Sequence, residues 1–345
     1  MPRKLCLKVR VAVAAGLATL ILSALAWLSP AAPPAASAQS GESLFVRKIG
    51  LKANDIVYSP ATNMLYASVG SGAGPGGNTI TPISPSTGEV GTPVFIGSEP
   101  NKLAITDDGK TMYTTLEGAF SIRRFDVQTQ TPGLQFSVGG TDFYGFWLTN
   151  DLAVAPGEPG TVAVVRYKRG ISPPEAGVAI FENGVQRPKT GAEHIAGSDY
   201  VAYCATAAKL YGGGFYDGLR TMTIDSTGVA NTTYATNSVG ARIKVAGGLV
   251  YGSGGKVMNP DTGALLGTFT NGASPVSSNA FVPDVAAGRV YYLAGDGFSS
   301  PSSLTLRAYD VNTFLPAGTQ TITGTTGAPT TLVRWGANGL AFRTS

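Results

Sequence analysis

A unit recurs along this 345-residue chain at spacings of 37–52 residues, every copy holds two apolar runs joined by a short polar turn, and charged residues make up only 13% of the sequence. Together these observations predict an all-β fold, a single seven-bladed β-propeller of four-stranded antiparallel blades. The 46 glycines and 22 prolines suit many short strands linked by tight reversals. Long surface helices would need more Lys and Glu, and no stretch after residue 30 places apolar residues at i, i+3, i+4 and i+7.

The first half of the unit is a hairpin. It reads "NDIVYSPATNMLYASV" at 54–69, then "NKLAITDDGKTMYTTL" at 101–116 and "NDLAVAPGEPGTVAVV" at 150–165. Further copies are "SDYVAYCATAAKLYGG" (198–213), "ARIKVAGGLVYGSG" (241–254), "SNAFVPDVAAGRVYYLAG" (278–295) and "TTLVRWGANGLAFRTS" (330–345). Equivalent first positions are Asp55, Lys102, Asp151, Tyr200, Arg242, Asn279 and Thr331.

A third strand, a polar turn and a short fourth strand make up the second half. The turns are "ISPSTGEV" (83–90), "FDVQTQTP" (125–132), "IFENGVQRP" (180–188), "IDSTGVAN" (224–231), "MNPDTGAL" (258–265) and "YDVNTFLP" (309–316). Their Asp, Asn, Gly and Thr satisfy local backbone groups and permit the reversal. Six such turns accompany seven hairpins, so the last blade is incomplete. The segment "SLFVRKIGL", Ser43–Leu51, precedes the first hairpin and belongs to none. It is expected to add as an outer strand to the blade begun by the C-terminus, which gives that blade three strands and hides an open edge, unless a segment beyond Ser345 has been lost from this chain.

The Tyr-bearing second strands "LYASV", "MYTTL", "VYGSG" and "VYYLA", with the D-x-x-T turns "DVQT" and "DVNT", resemble the YVTN-type (lactonase-like) β-propeller repeat. The likeness runs over about residues 43–345. It implies the fold and leaves the function open, because propellers host enzymes, ligand binders and adaptors alike.

The N-terminus reads as a separate segment. Arg3, Lys4, Lys8 and Arg10 precede the apolar run Val11–Leu28, and Ala36-Ser37-Ala38 supplies a small-x-small cleavage site. A secretory signal peptide is expected over 1–38, followed by a short segment at 39–42 and the propeller at 43–345. Cleavage near Ala38 would release a secreted, periplasmic or cell-surface protein with no membrane span. The run is also long enough to cross a bilayer, so an uncleaved anchor is the alternative. Removing the four basic residues of 1–38 from the 25 in the chain leaves 21 against 21 acidic ones. A nucleic-acid partner, which needs clustered positive charge, loses its support. Cys204 is then the only thiol of the mature chain, and its place in "YVAYCATA" predicts burial.

Strand alternation puts the second-to-third-strand loops and the links between blades on one face. The elaborated segments gather there: 70–78, 139–150, 166–177, 212–220 and 295–303. Binding residues favour such loops over a rigid scaffold. The ligand-binding candidates are Tyr144, Trp147, Arg166, Lys168, Arg169, Tyr216, Asp217 and Arg220. The cluster Phe143, Tyr144, Phe146 and Trp147 would offer contact area at low entropic cost, or would tuck its rings onto a blade edge. The basic group Arg166, Lys168 and Arg169 would meet an anion or carboxylate, or form a solvated loop.

Asp55, Asp151 and Asp199 begin first strands, nearest the axis. As metal ligands they would form an oxygen cup for Ca²⁺ or another divalent cation, and propeller lactonases are similar in using acidic and amide side chains around a channel metal. The plainer role of such residues is to cap turns entering strands. Other catalytic arrangements lack residues. His194 is the single histidine, which excludes zinc sites with two or more His and leaves any Ser-His-Asp triad dependent on it. No G-x-S-x-G elbow occurs, and the G-x-G-x-x-G match at Gly72–Gly77 leads into a strand rather than a helix. The expectation is an exported, monomeric binding or interaction scaffold without catalytic residues or cofactor, taking a protein, peptide or saccharide. The alternatives are a metal-assisted hydrolase of lactonase type and a structural component of the cell envelope.

Overall fold

All seven expected hairpins form, and each occupies its expected place. In the first, Asp55–Ser59 pairs antiparallel with Met64–Val69, Val57 lying opposite Tyr66. In the last, Pro329–Trp335 pairs with Gly339–Thr344. These assignments come from a computed structural model that describes residues 45–143, 145–193, 198–214, 218–235, 237–295 and 302–345. Second strands are buried along almost their whole length, as in Thr111–Leu116 and Thr161–Tyr167, because blades cover both of their faces. That is why they read as continuous apolar runs with Ser and Thr interspersed.

Six of the hairpins continue into four-stranded antiparallel sheets, spanning 55–95, 100–137, 148–186, 200–234, 243–268 and 280–323, called here blades 1 to 6. In blade 3 an additional short strand, Gly191–Glu193, pairs with Glu175–Glu182. The polar turns fall where expected: Asp126 Oδ1 accepts from Thr129 N at 2.8 Å, and Asp310 Oδ1 from Thr313 N at 2.9 Å. These bonds hold both carboxyls below their usual pKa. The D-x-x-T signature is thus an Asx turn between the third and fourth strands.

The blade count and the closure differ from expectation. Among the described residues there are six full blades, and a two-stranded hairpin, 329–344, stands in the seventh place. First strands touch in sequence around the ring, blade 6 against Pro329–Trp335 and that strand against Asp55–Ser59. Residues 45–53 carry no strand, so among the described residues no N-terminal strand completes the last blade. The reason is local. Ala53 N donates to Leu51 O at 3.0 Å, a tight turn at Lys52 that takes the backbone out of line for a ladder. Closure is made by side chains instead. Ile49, Leu51 and Ala53 pack with Val333 and Ala341, Arg343 Nε donates to Ala53 O, and Thr331 Oγ1 donates to Asp55 Oδ1 at 3.0 Å.

The compact unit is Ile49–Ser345. In the preceding unit, Met1–Lys48, the Arg47 guanidinium lies 4.9 Å from the Phe45 ring centroid. The expected signal peptide and its cleavage site lie outside the described residues. Among the described residues no helix is long and apolar enough to cross a membrane. The helical pieces are single 3-10 turns, Ser71–Ala73 and Glu117–Ala119. Gly72–Gly77 lies in a strand-to-strand loop.

The core lies between blades. Tyr66, Tyr113, Tyr211, Tyr251 and Tyr292 hold the same register position in their second strands and are all buried. The Tyr66 ring meets Phe125 of blade 2 edge-on at 6.3 Å. The Tyr113 hydroxyl donates to Pro159 O of blade 3 at 2.8 Å, and the Tyr292 hydroxyl to Gly252 O of blade 5 at 2.9 Å. Tyr66, Tyr113 and Tyr292 thus fill the wedge between blades while their hydroxyls join them. Cys204 is buried as expected.

Candidate functional site

Two Asn-Asp pairs at the start of first strands tie neighbouring blades together. Asn54 Nδ2 donates to Pro100 O at 2.8 Å, and Asp55 Oδ2 accepts from Leu103 N at 3.1 Å, both in blade 2. One blade pair further on, Asn150 Nδ2 donates to Asp199 O at 3.0 Å and Asp151 Oδ2 accepts from Val201 N at 2.9 Å. The amide grips a carbonyl and the carboxylate grips an N–H, so each pair is a two-point latch on the next first strand. Asp151 is held among protein atoms, and this desolvation raises its carboxyl to about 6 against the pull of Val201 N–H and Lys102. Lys244, whose Nζ donates to Leu332 O at 2.9 Å, is lowered to about 8 by burial and partly restored by Asp55. Asp55 and Asp151 therefore sit in a field that also contains Lys102, Arg242 and Lys244. Among the described residues no three Asp, Glu, His or Cys side chains converge as a cation site.

On the loop face the predicted residues divide. Arg166 is 2% exposed; its Nη1 donates to Gln186 Oε1 at 3.0 Å and its Nη2 to Ala176 O at 3.2 Å. Its guanidinium lies 4.5 Å from the half-buried Trp147 ring, with Lys168 Nζ at 5.5 Å. Arg220 is fully buried beside the Tyr234 ring. These residues brace blades 3 and 4 from inside. Arg169 is exposed and lines a cavity. Tyr144, Tyr216 and Asp217 lie outside the described residues, as does His194. Of the aromatic cluster in the 139–150 link, Phe143 and Phe146 are exposed, 96% and 58% accessible, and Phe146 stacks on Phe120 at 4.9 Å.

That cavity, about 400 Å³, is lined by Asn54, Glu99, Asn101, Glu117, Gly118 and Arg169. All six come from links between blades, first-strand starts or second-to-third-strand loops, which is the face the loop lengths single out. Glu99 and Glu117 escape a reading of the sequence because neither belongs to a long loop or a charge cluster. Glu99 precedes Pro100 and holds φ at +52°, an unusual conformation for a residue with a Cβ. It is fixed there by Asn78 Oδ1, which accepts from Glu99 N at 2.9 Å, and by Glu117 N, which donates to Glu99 O at 3.0 Å. Ser71 Oγ donates to the Glu99 carboxylate, and Asn101 Nδ2 to Glu117 Oε1. A Cβ on Gly70 would stand 2.9 Å from both Asn54 Nδ2 and Glu99 Oε2, and one on Gly118 only 2.2 Å from Ser98 Oγ. Glycine at these two positions gives the carboxylates their room. Glu117 also borders a crevice formed with Thr115, Leu116, Phe120, Ser121, Leu148 and Thr149.

No family model matches the chain, and no curated protein matches it in sequence. In structure it is similar to the β-propeller domain of Cps50 (Swd1) from Myceliophteria thermophila, with a TM-score of 0.59 at 10% identity over 83% of this chain and 91% of that one. At that identity the likeness concerns the fold alone. The chain is a β-propeller.

Proposed function

We propose that this protein is an exported interaction scaffold that captures a ligand at the mouth of the ring, on the face carrying the links between blades. The observation that carries this reading is the concentration on one face of the 400 Å³ cavity, the exposed Arg169 and the exposed rings of Phe143 and Phe146. Ligands are held in concave sites where a few polar groups converge, and exposed apolar patches mark interaction surfaces. Export rests on the composition of residues 1–38, and assignment to the YVTN type on the Tyr and D-x-x-T elements of the repeat. The latches of Asp55 and Asp151 give these residues a structural task that needs no metal.

The test is ligand capture by the folded mature protein, screened with saccharide and peptide arrays and by pull-down. The double variant Phe143→Ser, Arg169→Ala should lose most of the captured signal while its melting temperature stays within about a degree of wild type, since both side chains are exposed. Capture unaffected by the double variant would refute the assignment of this face.

A further inference from the structure

We propose that the axial channel holds a small oxyanion, a carboxylate or a phosphate, between Arg242, Lys244 and Arg343. The site is separate from the loop-face cavity and does not depend on it. Arg242 and Lys244 stand two positions apart at the start of the first strand of blade 5, so their side chains leave it on the same side. Both reach past blade 6 to the terminal hairpin: Arg242 Nη1 donates to Thr330 O at 2.7 Å, and Lys244 Nζ to Leu332 O at 2.9 Å. First strands line the axis, and side chains that span from blade 5 to the seventh place cross the channel. Arg343 enters from the second strand of the hairpin, its Nη1 donating to Thr330 Oγ1 at 2.5 Å. Three cationic side chains thus converge on Thr330–Leu332. All three are half-buried, so solvent reaches them from the channel.

Charge is not balanced there. Among the described residues, Arg242, Lys244 and Arg343 form no ion pair. The carboxylate nearest in the field, Asp55, is turned elsewhere: its Oδ1 accepts from Ile56 N and Thr331 Oγ1, and its Oδ2 from Leu103 N. Asp151 Oδ2 faces Val201 N. The charged groups that act on one another across the channel are four cations, Lys102, Arg242, Lys244 and Arg343, and two carboxylates, Asp55 and Asp151. A second observation comes from Arg242 itself. Its Nε is shielded by protein and has no hydrogen-bond partner, while the guanidinium is held 4.8 Å from the Tyr200 ring centroid. An unpaired buried donor and a cation without a counter-charge both cost free energy. An oxyanion offsets both costs, and the planar fork of an arginine matches a carboxylate or phosphate better than it matches a spherical halide. Low-dielectric walls around the channel concentrate the positive field and draw the anion in.

Isothermal titration and thermal melting of the mature protein test the site, with inorganic phosphate and succinate as probes and sodium chloride holding the ionic strength constant. The expected result is saturable binding of phosphate, of succinate or of both, with a rise in melting temperature that saturates over the same range. Binding of one probe alone identifies the anionic group the channel prefers. Arg242→Gln and Lys244→Met should each weaken the bound probe about tenfold, the loss of one charge-assisted hydrogen bond. Lys244→Met keeps the aliphatic stem and removes an unpaired charge, so it should fold without the anion. Arg169→Ala, which alters only the loop-face cavity, should leave the affinity unchanged. Absence of saturable binding by either probe overturns the proposal, as does binding indifferent to both channel variants or lost in Arg169→Ala. If the channel variants melt lower than wild type by the same amount with and without phosphate, Arg242 and Lys244 are clamps on the terminal hairpin only, and the proposal falls.

Discussion

Asp151 is poised to report on the environment at the axis. Its carboxyl titrates near 6 in the folded protein and near 3.8 when the chain is unfolded. Between those values the native state binds more protons than the unfolded state. Stability contributed by Asp151 is therefore full below about pH 4 and is lost as pH rises through 6. The turn carboxylates Asp108, Asp126, Asp225 and Asp310 are shifted the opposite way, and their contribution is lost only as pH falls below their unfolded value. The window from pH 4 to 6 therefore belongs to Asp151. Urea midpoints across it should decline for wild type relative to Asp151→Asn, which keeps an acceptor for Val201 N–H but cannot ionise. Parallel curves would show that Asp151 is solvated in the channel.

The second strand explains why the repeat is visible at all. A Tyr in its middle must fill a wedge between blades and find a hydrogen-bond partner at its tip, and few other side chains do both. Tyr292→Phe should cost about 1 kcal/mol in chemical denaturation, because it takes a donor from the Gly252 carbonyl in a buried setting. Tyr58→Phe, whose hydroxyl bonds the exposed Asn63, should cost almost nothing. Tyr292→Phe matching wild type would reduce the repeated register to ring packing. The seven hairpins and six polar turns were legible in the sequence because each is a local pattern with its own physical cause. Arg166 and Arg220 misled as loop-face residues because an arginine at the end of a strand can turn inward onto Trp147 or Tyr234, which spacing does not record. Glu99 and Glu117 were invisible for the converse reason. They lie 18 residues apart and meet only because blade 2 folds the link before its first strand onto the turn after its second.

At the scale of the whole molecule the joint between the terminal hairpin and blade 1 is unlike the others. Ile49, Leu51 and Ala53 pack with the first two strands of blade 1 and of the terminal hairpin, and they hold by apolar contact and one arginine. A mature chain trimmed to begin at Asn54 should melt on the order of 5 °C below one trimmed to begin at Ile49, from the two aliphatic side chains lost. Equal melting temperatures would mean that Pro329–Trp335 and Asp55–Ser59 close the ring unaided.

The contacts at that joint also join the most distant parts of the sequence. Thr331 and Asp55 are 276 residues apart, and Arg343 and Ala53 are 290 apart. Each blade, by contrast, is sewn from strands that follow one another directly. Bringing such remote segments together carries a loop-closure cost that is offset only once the intervening chain is already compact. Folding should therefore run blade by blade along the chain, with the clasp at Arg343 fastened late. An open ring with all of its blades assembled would be the final intermediate before the native state.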